Sequence, residues 1–143
     1  MKLTTKALTL ALIAAGGLAI AAEATNPAAK ARQETMDAIS AASKVLGNMA
    51  KGSVAYDAAA AAEAQAALAA AAATITTVFE PNESDPKSKA KPEIWANWAD
   101  FQTKAEALVG AAGALDASSL DGIKAGMGAV GGACGACHET YRM

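Results

Sequence analysis

One histidine, two cysteines and two each of tryptophan, tyrosine and phenylalanine are all that 143 residues hold of those types. A lone histidine with two cysteines falls short of the roughly four ligands a structural zinc needs, and no second cluster exists to complete the set. Catalysis by paired acid and base groups also lacks support, since no spare histidine stands beside these residues. With so few aromatics, a core here rests on alanine and scattered aliphatics, which favours a bulky non-protein filler. No stretch alternates polar and apolar residues with the period of a strand.

Basic charge is scarce too. The whole chain carries a net charge of −2. Its first 21 residues read as a cleaved secretory signal, with lysines in "MKLTTK", an apolar run, and the small-x-small pattern Ala19-Ile20-Ala21. That run of about 15 residues is short of the ~20 that cross a bilayer. Removing it takes away Lys2 and Lys6 and leaves ten basic against fourteen acidic side chains. Nucleic acid is thereby excluded as a natural partner. Residues 22–143 suffice for one domain, exported to the periplasm and without a membrane span of its own.

What remains is helix. Asn26-Pro27 is a capped start, and Met36, Ile39, Ser43, Leu46 and Met49 follow at spacings of three and four before glycines close the segment. Asp57 caps a second, alanine-rich helix running to Phe79, with Glu63 and Gln65 interrupting it as a membrane span. Residues 80–91 form the one long loop, with two prolines and no apolar period. Pro92 opens a third helix whose stripe is Ile94, Trp95, Trp98, Phe101, Ala105, Leu108, Ala112 and Leu115. Ser118 to Asp121 then cap a fourth, in which Leu120, Ile123, Met127, Val130, Cys134, Cys137 and Tyr141 repeat at alternating steps of three and four. Such a seam faces helical partners. The expected fold is an all-α, antiparallel up-down-up-down four-helix bundle.

The scarce reactive residues sit together as Cys134-Gly-Ala-Cys137-His138. A thioredoxin-like redox pair belongs in a βαβ context that is missing here. A disulfide within one helical turn is open to an exported protein, which would then be a haem-free bundle. Covalent haem c uses all three residues at once: two thiols add to the two vinyl groups, and the adjacent imidazole reaches the iron.

On the other face of that iron, Met143 stays on the side of His138, and Met127 lies ~16 Å up the same helix. Met36 and Met49 remain. In an up-down-up-down bundle the start of helix one and the end of helix four share one end, which favours Met36; Met49 is ~20 Å further along. Met36 as ordinary core packing is the competing account. Arg32, one turn before Met36, is within reach of a haem propionate.

Arg32-Gln33-x-x-Met36, Lys91-Pro92-Glu93-Ile94-Trp95, and Cys134-x-x-Cys137-His138 followed by Tyr141-Arg142 together make the mature chain resemble the class II c-type cytochromes, the cytochrome c′ family with its low-spin relatives. The resemblance implies a periplasmic four-helix bundle with one haem c, held by Cys134 and Cys137 and ligated by His138. It implies cofactor contacts from Arg32 and Gln33, with Arg32 and Arg142 near the propionates. The residue at the Met36 position would lie over the distal face. Low-spin members use a methionine there as sixth ligand and exchange electrons with redox partner proteins, whereas high-spin members leave the iron open to NO or CO. Pairing of two subunits through helices one and two is also implied.

Overall fold

The computed structural model describes residues 24–143. The expected signal segment lies outside the described residues. Among the described residues six helices follow in order: α1 (Pro27–Ala50), α2 (Ala58–Ala73), α3 (Ile75–Phe79), α4 (Glu93–Ala96), α5 (Trp98–Ala114) and α6 (Leu120–Tyr141). Helix α1 packs on α2 and α6, α2 on α5, and α5 on α6, so helices adjacent in sequence are adjacent in space. The result is the four-helix bundle, with α2–α3 and α4–α5 each acting as one broken rod. Among the described residues the only strand-like pairing is an isolated bridge between Ala90 and Arg142.

Local chemistry sets the boundaries. The Asn26 side chain accepts hydrogen bonds from the Ala28 and Ala29 N–H groups, with Pro27 in the first turn, satisfying donors that a helix start leaves free. Asp57 caps α2 through the Ala60 N–H, and Ser119 caps α6 through that of Gly122. Helix α1 runs on through Gly47 and ends at Ala50; Gly52 then takes φ +72°, the left-handed conformation that lets the chain turn away.

Two breaks refine the sequence expectation of unbroken second and third helices. At Thr74 the hydroxyl donates to the Ala71 carbonyl at 2.9 Å, and the β-branched run begins there, so α2 gives way to α3. At Asn97 the backbone leaves helical geometry (φ −121°, ψ 45°) while its N–H and side-chain amide both reach the Glu93 carbonyl. The asparagine side chain adds a local hydrogen bond to the carbonyl its own N–H already reaches.

The rod Ala58–Phe79 is long and apolar enough to cross a membrane by length and composition. Here its face of Ala61, Ala64, Leu68, Ala72, Ile75 and Phe79 is buried in the bundle. The α6 seam packs as expected: Ile123, Val130 and Tyr141 are buried, and Leu120, Met127, Cys134 and Cys137 lie partly buried against them. Two α6 glycines make room for the chain entering it. A Cβ on Gly122 would stand 2.4 Å from the Asp116 carbonyl oxygen, and one on Gly126 would crowd Leu115 at 3.0 Å.

Residues 80–91 form a strap across one end of the bundle. Arg32, 3% exposed, lies between the rings of Phe79 and Trp95. Its guanidinium donates to the carbonyls of Val78, Pro81 and Glu83. Asp85 accepts from the Thr25 and Asn26 N–H groups and the Thr25 hydroxyl on one oxygen, and from the Lys87 N–H on the other. Further along, Lys91 N–H donates to the Tyr141 carbonyl and Met143 N–H to the Lys89 carbonyl. The strap therefore ties the beginning of α1 to the end of α6.

Replacing Arg32 with Met should lower unfolding free energy by about 2–3 kcal/mol, since the strap carbonyls lose a charged donor; urea denaturation of both proteins measures this. Asp85 supplies an acid-dependent test. Hydrogen bonds from Asn26, Lys87 and Thr25, the Asn26 N–H foremost, hold its carboxyl at about 2 against an ordinary 3.8. A depressed folded-state pKa stabilises the protein above the unfolded value, and that stabilisation fades as pH falls from about 4 towards about 2. Asp85→Asn should thus melt below the wild type at neutral pH, with the gap closing through that window in thermal melts.

Candidate functional site

Between the strap and the ends of α1, α3, α5 and α6 lies a cleft of about 900 Å³. Its apolar lining includes Met36, Ile75, Phe79, Ile94, Phe101 and Leu108. That volume lies at the upper end of the roughly 300–1,000 Å³ typical of ligand sites. Protein interiors seldom tolerate voids much larger than a water molecule. An apolar cleft of this size fits a large flat group that completes the core.

The same cleft gathers the sequence candidates. Cys134, Cys137 and His138 line it from α6, Met36 with Arg32 and Gln33 from α1, and Arg142 from the tail. Helical spacing accounts for the first three: steps of three and four residues turn one face of α6 towards the opening. Both thiols are free and half-buried, and burial raises their pKa values above the ordinary one. His138 is exposed at the rim, yet enough of its ring is covered to lower its pKa, with Arg142 adding to the effect. Both effects favour the neutral imidazole, the form that binds metals.

The methionines divide cleanly. Met49 is 4% exposed in the core, Met143 is 68% exposed, and the Met127 methyl packs beside Gly47 of α1. Among the described residues Met36 alone of its type lines the cleft.

Arg32 and Gln33 line the cleft with their polar ends already engaged. Arg32 serves the strap carbonyls, while Gln33 accepts from the Ala24 N–H at 3.1 Å and donates to the Lys87 carbonyl at 3.4 Å. Both hold the strap in place, a role the sequence motif did not suggest. Arg142 has an exposed side chain and is fixed through its backbone, whose N–H donates to the His138 carbonyl.

Sequence reasoning missed the support beneath the α6 motif. The Tyr141 hydroxyl donates to an Asp100 carboxylate oxygen at 2.6 Å, which pushes its pKa up to about 12. Tyr141 meets Phe101 edge to face, and the Trp95 indole N–H donates to the Phe79 carbonyl. The aromatic spacing in helix three was the available signal; the acceptors were not, being backbone or a distant carboxylate. Of the α6 glycines, Gly128, Gly131, Gly132 and Gly135 have no neighbour within 4 Å of a Cβ position. Protein packing therefore does not demand them.

A helical bundle with Cys-x-x-Cys-His facing a large apolar cleft defines a haem-binding c-type cytochrome of the bundle class. Comparison with known proteins agrees. The model of the family described as cytochrome C′ matches residues 27–142. A cytochrome c-556 of Agrobacterium tumefaciens (strain II Chrys) is 36% identical over 115 residues, covering 78% of this chain and 93% of that protein. The solved cytochrome c′ of Rubrivivax gelatinosus superposes with a TM-score of 0.72 at 29% identity, covering 81% of this chain and 94% of the other. A nitric oxide complex of a cytochrome c prime variant from Alcaligenes xylosoxidans gives 0.72 at 32% identity, with 80% and 93% covered; a second variant of that cytochrome has been solved with carbon monoxide bound. The chain belongs to the cytochrome c′ family. Its cofactor is haem c, and the two cysteines for covalent attachment are present.

Proposed function

We propose that this protein is a periplasmic monohaem electron carrier whose iron has His138 as proximal and Met36 as distal ligand. The observation carrying this reading is that Met36 is the methionine lining the cleft that His138 also lines. Cys134 and Cys137 would hold the group through two thioether links, and the neutral His138 imidazole would offer its lone pair. When bound, haem c supplies one-electron chemistry at iron. Methionine opposite histidine favours the ferrous state and raises the potential.

This chain's own part is to orient the ligands and exclude water. Phe101, Tyr141 and Asp100 brace the last turn of α6, and the strap closes the side of the cleft between α1 and α6. Such a framework suits electron transfer with partner redox proteins rather than catalysis. The export signal read in residues 1–21 supports the periplasmic location. A groove between α1 and α2, lined by Ala31, Ala38, Ala67, Ala70 and Ala71, supports pairing of two copies through those helices.

The second reading is a five-coordinate protein that binds NO or CO, with Met36 as a steric gate. The gas complexes of the Alcaligenes xylosoxidans relative favour it. Absorption spectra separate the two. The carrier reading expects a low-spin iron in the wild type that becomes high-spin and takes up CO in Met36→Ala. An unchanged low-spin spectrum in that variant rules out Met36 as a ligand; a wild type that is already high-spin and binds CO supports the second reading.

A further inference from the structure

Charge is distributed unevenly around the cleft. Within residues 24–143, five of the ten basic side chains line it, whereas Asp37 is the only one of thirteen acidic side chains that does. This concentration belongs to a chain whose net charge is negative. Arg32 is turned onto strap carbonyls, and Lys104 stands 3.9 Å from Asp100. Lys87, Lys89 and Arg142 are exposed and have no ion-pair partner among the described residues. Even if the two carboxylates of a haem take up two of these charges, the lining stays positive.

The placement is rigid as well as uneven. Asp85 fixes the Lys87 N–H at 2.7 Å, and the Lys89 carbonyl accepts from the Met143 N–H at 2.9 Å. The two ammonium groups are thus carried by a strap anchored to α1 on one side and α6 on the other.

We propose that the cleft mouth, with Lys87 and Lys89 at its edge, is the docking surface for an electron-transfer partner that presents clustered carboxylates. The inference rests on the carrier reading above and adds to it the chemistry of the partner. A local cationic patch on a net-acidic protein attracts such a partner in one orientation, with the cofactor cleft facing it, while the rest of the surface repels it. Electrostatic steering of this kind speeds association and weakens with salt, because the screening length contracts from about 30 Å at 0.01 M to about 10 Å at 0.1 M.

The test uses the reduced holoprotein, with ferricyanide as an anionic oxidant and hexaammineruthenium(III) as a cationic one, followed by stopped flow. If the patch governs approach, the ferricyanide rate falls by about threefold or more as ionic strength rises from about 0.01 to 0.2 M. The cationic oxidant should show no such fall. If net charge governs instead, the ferricyanide rate rises with salt, and the inference is overturned. In Lys87→Gln/Lys89→Gln the ferricyanide salt dependence should be largely lost; a variant that keeps the wild-type dependence also overturns it. Failure of the reduced protein to react with either oxidant would contradict the carrier reading itself. Normal oxidation with the wrong salt dependence contradicts the docking surface alone.

Discussion

At one end of this bundle the helices stand apart around an apolar cleft, and the strap, the brace beneath α6 and the reactive residues are all arranged about it. Leu46, Leu68, Ile94, Ile123 and Val130 are the largest fully buried side chains. Toward the other end of the rods, the Met127 methyl of α6 lies beside Gly47 of α1. At the strap end the walls stay apart around about 900 Å³ of mostly apolar cleft. An apolar group seated in such a cleft gains dispersion contacts and apolar burial. The haem of this cytochrome family would find that surface in the cleft that Cys134 and Cys137 line.

Anchoring follows from the same geometry. A reluctant, glycine-rich helix carries the reactive residues, and the protein braces it from outside the motif. Tyr141 sits one turn beyond Cys137, held by the Asp100 carboxylate and the edge of Phe101. The strap bonds the backbone on either side of Arg142 and, through Arg32 and Asp85, reaches back to the start of α1. Met36 and His138 belong to distant parts of the sequence, and this clasp couples the two helices that carry them.

Much of this was legible in the residues. The three-four rhythm of α6 put Cys134 and Cys137 on the buried seam. Asn26-Pro27 marked the start of α1, and counting residues along an up-down bundle placed Met36, rather than Met49, at the level of the α6 motif. Other features were not legible, for physical reasons. Arg32 and Gln33 bond mainly to carbonyls and N–H groups that every residue possesses, so their partners leave no compositional trace. Asp85 looked like one more charge in a polar loop, yet it ranks among the buried groups because the chain folds four donors onto it. The breaks at Thr74 and Asn97 interrupt apolar stripes that continue across them, which is why periodicity alone read each pair as one helix.

The central claim is that the cleft is completed by a porphyrin bonded to α6 through Cys134 and Cys137. Intact-protein mass spectrometry addresses it most directly, on material exported in cells with a working haem-ligation system. The expected mass is that of the mature polypeptide plus ~616 Da, retained under denaturing conditions and lost in Cys134→Ala/Cys137→Ala. A bare polypeptide mass from the wild-type chain would contradict the claim.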